Sequence, residues 1–82
     1  MKPKKTCLGL KELQDIVRLT LQAVPGCAHV QSVNVVREPA VGWNAPNWDV
    51  AQILPPVPEQ AGILVCKAIE QLRQKFDLAS VT

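Results

Sequence analysis

Four side chains in this sequence have the donor chemistry to hold a metal: Cys7, Cys27, His29 and Cys66. Thiolates and imidazole suit zinc, and three cysteines with one histidine form a known structural set. The spacing matches no recognised ligand pattern: Cys27-Ala28-His29 is a tight pair, while Cys7 and Cys66 lie far off in the chain. The plainer reading places Cys66 on the flank of a helix near Gly62 and Ile69. Cys27 then becomes a turn residue and His29 a solvated residue at a strand entry. We prefer that reading and expect no bound metal or other cofactor. Three cysteines also leave an odd thiol, which fits a reducing compartment better than a disulfide framework.

Catalytic options are few. His29 is the only imidazole, so a Cys27–His29 couple is the one available thiol–base pair, and nothing nearby in sequence orients its ring. The four glycines are scattered and cradle no phosphate, while Glu12 and Asp15 fall on a helix face expected to be solvated. We read no catalytic constellation and expect a non-enzymatic role.

The elements that must position these residues centre on Val30 to Leu54. Val30, Val33, Val35 and Val36 mark a strand over 29–37, because branched side chains pack well on a pleated surface. A second strand is expected over 47–54. Between them, 38–46 (EPAVGWNAP) is longer than a tight hairpin turn, and Pro39 and Pro46 bracket the region where pairing stops. Strict alternation would put Trp48, Val50, Gln52 and Leu54 on one face of the second strand, with Asp49, Ala51 and Ile53 on the other. Trp48 reads as a core anchor. Trp43 sits in the loop beside Val41 and Asn44, and a loop tryptophan is a frequent interface anchor, so these three form the candidate partner-binding group.

A helix is expected on each side. Over 8–24, Leu10, Leu13, Ile16, Val17, Leu21 and Val24 recur at helical spacing, and Pro25-Gly26 closes the segment. Over 58–77, Pro58 suits the first helical position, and Ala61, Val65, Ala68, Ile69, Leu72 and Phe76 share one face. The expected fold is therefore a single small α+β domain of order α-β-β-α, an antiparallel hairpin with both helices on one face. Residues 1–7 read as a flexible basic tail, and Leu78 to Val81 could add a strand.

Ala23-Val24-Pro25-Gly26, followed by Val30, Val33 and Val35, resembles the helix-to-strand junction of ferredoxin-like domains, of which heavy-metal-associated domains are one example. The resemblance spans about two-thirds of the chain and implies a truncated ferredoxin-like arrangement. That family's metal loop carries two cysteines two residues apart before the first helix. Only Cys7 stands there, so metal transport does not follow from the resemblance.

With 48% hydrophobic residues the chain has enough apolar surface to fold, and with 4% aromatics its core must be mainly aliphatic. No run of apolar residues is long enough to span a membrane and no signal peptide is evident, so the expected compartment is the cytoplasm. Of nine basic residues, Lys2, Lys4 and Lys5 lie in the tail; the remaining six meet seven acidic ones. The body is slightly acidic, which argues against a nucleic-acid surface. The expectation is a small soluble binding or assembly module that engages an unknown protein. It is also expected to form a homodimer through Val30, Val36, Ala51 and Ile53. The alternative is a metal-binding protein using Cys27 and His29 with another cysteine.

Overall fold

The computed structural model describes residues 6–39, 41–42 and 45–79. The order of elements is β1 (Thr6–Leu8), α1 (Leu10–Gln22), β2 (Ser32–Arg37), β3 (Trp48–Leu54), α2 (Gly62–Lys75) and β4 (Phe76–Leu78), with a 3-10 turn at Glu59–Ala61 leading into α2. The described residues form a small mixed α+β domain with two helices and two small sheets. β2 and β3 form an antiparallel hairpin, and β1 pairs with β4 in parallel. The central α-β-β-α order matches the sequence reading. The element order also matches that of the ferredoxin-like resemblance, but the outer strands pair with each other and do not join the hairpin.

Leu13, Val17 and Leu21, four residues apart on one stripe of α1, are all fully buried. They meet Val33, Val35 and Trp48 of the hairpin and Val65 and Leu72 of α2 in one core. Burying each such side chain contributes about 1.5–3 kcal/mol, so this stripe decides where α1 sits. Leu10, at the start of the stripe, is exposed because it precedes the layer that α2 and the hairpin cover. Val65 and Leu72 of α2 are buried with Ala61 of the 3-10 turn, and Ala68, Ile69 and, in β4, Phe76 pack against the same core.

α1 ends in a turn fixed by local chemistry. The Cys27 N–H donates to Val24 O at 3.0 Å, with Pro25 and Gly26 in the two central positions. Gly26 has φ 86°, which the third position of a type II turn demands and a side chain would resist. Cys27 closes the turn, as the sequence reading expected, and its side chain enters the core, where it is fully buried.

Both ends of the chain differ from expectation. Thr6–Leu8, expected within or beside a flexible tail, is a strand, with Thr6 opposite Phe76 and Leu8 opposite Leu78. The second helix stops at Lys75, because Phe76–Leu78 turns extended to make this pairing. The reason is tertiary. Leu78 is buried in the core, which a continued helix would not achieve.

One irregularity rearranges the hairpin. Asn34 pairs with Gln52, but the next residue, Val35, pairs with Val50, leaving Ala51 as an extra residue in β3. Such a β-bulge shifts the alternation by one. Val33 therefore lies opposite Ile53 and Val35 opposite Val50, all on the core side. The outer face carries Ser32, Asn34, Val36, Asp49, Gln52 and Leu54.

Candidate functional site: the free edge of the hairpin

The bulge corrects the expected dimer face. Ile53 is half-buried against the core, and Val30 is only 1% exposed because it precedes β2 and packs inward. Only Val36, at 39%, and Ala51 remain exposed from that group. The four residues do not form one surface, and the outer face of the hairpin is mostly polar.

The two edges of the hairpin differ. Along β2, α1 supplies side chains in place of a strand. The Val35 N–H donates to Gln14 Oε1 at 3.1 Å, and Gln22 Nε2 donates to the carbonyl of Val30, just before the strand, at 2.7 Å. Arg37 Nη2 donates to Ala79 O at the far end. These groups occupy the positions a further strand would need.

Along β3, the edge is open. Glu38 N–H donates to Asn47 O at 2.8 Å, so Asn47 faces β2 and the backbone of Trp48 and Val50 faces away. Trp48 O accepts from Arg73 Nε of α2 at 2.9 Å. The outward Val50 N–H donates only to the carboxylate of its neighbour, Asp49 Oδ1, at 2.8 Å. That carboxylate stands where the carbonyl of an adjoining strand would be. From there to Leu54, β3 pairs with no strand but β2 among the described residues.

Beside this stretch lies a cleft of about 360 Å³ between β3 and α2. Val50, Ile53, Val57, Val65 and Ile69 give it apolar walls, and exposed Ala51 and Cys66 stand at its rim. Val65 and Ile69 are four apart in α2, while Val50 and Ile53 are brought to one side by the bulge. A second cleft of about 340 Å³ between α1 and α2, lined by Val24, Leu64 and Ala68, offers apolar surface but no strand edge.

The metal-ligand candidates are not brought together. Among the described residues, no group of three His, Cys, Asp or Glu side chains could hold an ion. Cys27 is buried, whereas His29 is exposed and its Nε2 lies 3.1 Å from Pro56 O. Cys7 and Cys66 are exposed on β1 and α2. Two residues apart, Cys27 and His29 are sent opposite ways by the turn at Gly26. Of the loop group, Val41 is 92% exposed, while Trp43 and Asn44 lie outside the described residues. No helix among the described residues is long and apolar enough to cross a membrane.

Sequence reasoning missed Gln14, Gln22, Asp49 and Arg73, which decide which edge is open. Each looks like an ordinary polar surface residue in the sequence. Only the placement of the helices turns them into backbone partners. Comparison with family models, with curated proteins and with solved structures finds no match for this chain.

Proposed function

We propose that this domain is a protein-interaction and assembly module that takes up an extended chain segment along the edge of β3. The observation that carries this reading is the outward Val50 N–H, held by the neighbouring carboxylate beside an apolar cleft. Strand addition uses such an edge: main-chain hydrogen bonds supply affinity, and pockets for alternate side chains supply selectivity. An incoming carbonyl replaces Asp49 Oδ1, and the apolar side chains of the segment enter the cleft between Val50, Ile53 and Ile69. The partner is a protein, the edge also suits a second copy of this chain, and the cytoplasm is the compartment this reading assigns. Trp43, with Val41 and Asn44, adds a second anchor in the same proposal.

A displayed library of short random peptides tests the reading. Selection on the wild-type protein should enrich extended, alternating sequences, and Ala51→Lys should abolish their retention by placing a charge on the edge. Enrichment that survives Ala51→Lys unchanged would rule out β3 as the binding edge.

A further inference from the structure

We infer that the segment taken up by β3 is β3 of a second copy, giving an antiparallel pair about a two-fold axis and a continuous four-stranded sheet. The inference rests on the strand-addition reading of this edge. Three features favour a second copy over a foreign strand.

The first is the number of open edges. Gln14 and Gln22 of α1 occupy the β2 side, so each hairpin offers one free edge. One open hairpin edge per chain, joined to its own copy, produces an isologous contact that closes at two chains; open edges on both sides of the hairpin would propagate a filament. The second is charge. Asp49 is the only charged residue in β3, and its carboxylate is turned onto its own backbone at Val50 N. An antiparallel pairing centred near Ala51 and Gln52 therefore sets no like charges opposite each other, and the neutral 50–54 segment is compatible with itself. None of the lysines that commonly guard a strand edge lies on β3. The third is the sheet. A copy adds two strands with the same apolar pattern, so the face already packed on α1 and α2 continues across the axis.

The bulge gives the pairing its registration. Ala51, the extra residue, is exposed at the rim of the cleft, near the axis. Substituents there on the two chains lie close together, so charge at this one position should decide association.

Light scattering at micromolar concentration should give about twice the 9.0 kDa of one chain. Ala51→Lys and Ala51→Glu should each fall to the mass of one chain with an unchanged circular-dichroism spectrum. Mixing the two should restore the doubled mass, because Lys then faces Glu across the axis. Val36→Lys, on the outer face, should leave the doubled mass intact. If Ala51→Lys fails to fold, amide exchange of the wild-type protein on dilution replaces it: β3 amides should lose protection as the mass falls. A wild-type mass of one chain overturns the self-pairing, as does a doubled mass that survives Ala51→Lys, or β3 protection that ignores dilution. A labelled peptide of residues 48–54 separates the two ideas. If the wild-type protein is monomeric yet binds this peptide, and Ala51→Lys does not, self-pairing falls and strand addition stands. If neither dimer nor peptide complex forms, self-pairing falls, and strand addition falls with it only if the displayed library also fails to enrich extended peptides.

Discussion

The side chain of Asn47 pairs with the backbone of Leu78 as if it were a strand residue. Its Nδ2 donates to Leu78 O and its Oδ1 accepts from Leu78 N–H, both at 2.9 Å. Next to it, Trp48 Nε1 donates to Phe76 O at 2.9 Å. β4 thus has β1 on one side and, on the other, the side chains of Asn47, just before β3, and Trp48, its first residue. The two small sheets are tied together by side chains instead of by a ladder.

Asn47→Ala should then destabilise the domain by about 1–3 kcal/mol, since it strips partners from two part-buried backbone groups at once. Denaturant unfolding would measure the loss. Asn47→Asp keeps the acceptor and loses the donor, so it should fall between wild type and Ala. An Asn47→Ala protein as stable as wild type would mean that water replaces the amide without cost.

Trp48 is fully buried among Val33, Val35, Val65 and Leu72. Trp48→Ala should cost about 3–5 kcal/mol, enough to unfold most small domains. Trp48→Phe should cost less, because it fills most of the volume and forfeits only the bond to Phe76 O. A cooperative melt of Trp48→Ala near the wild-type temperature would contradict this placement.

Trp43, proposed as a partner anchor, should behave differently. Trp43→Ala should leave thermal stability nearly unchanged, and the indole should fluoresce as a solvated one in the free protein. A loss of more than about 2 kcal/mol would identify a core residue, since it approaches the roughly 3–5 kcal/mol that truncating a buried aromatic costs.

Arg73 makes three contacts of unequal value. Its Nε bond to Trp48 O is part-buried, whereas Glu70 at 3.1 Å and Glu38 at 3.5 Å are well-exposed carboxylates. Exposed ion pairs contribute roughly 0–1 kcal/mol, so the backbone bond should dominate. Glu38→Gln and Glu70→Gln should each change stability by less than about 0.5 kcal/mol. Arg73→Ala should cost about 1–3 kcal/mol by leaving Trp48 O without its donor. Equal losses for Glu38→Gln and Arg73→Ala would reverse that ranking.

Metal analysis of untagged protein should give below about 0.1 equivalent of zinc, and chelator should not shift the melting temperature. A structural zinc site makes folding depend on the metal, so one equivalent and a chelator-induced unfolding would require a different arrangement of Cys27 and His29.

The sequence by itself determined the elements whose signals are local. Leu13, Val17 and Leu21 mark a helical face by spacing, Val33 and Val35 a strand by branching, and Val24-Pro25-Gly26-Cys27 a turn by backbone preference. Each depends on residues within one or two turns of chain, so the pattern can be read without the fold. Tertiary structure decided the rest. A three-residue strand such as Thr6–Leu8 carries too little pattern to announce itself, and it exists because Phe76–Leu78 lies beside it. The extra residue Ala51 has no sequence mark, yet it moves Ile53 to the core side and dismantles the apolar face that alternation implied. The open edge of β3 is likewise invisible in the chain. It depends on α1 delivering Gln14 and Gln22 to the β2 side and on no element among the described residues delivering a strand to the other, a matter of where helices pack instead of what any segment prefers.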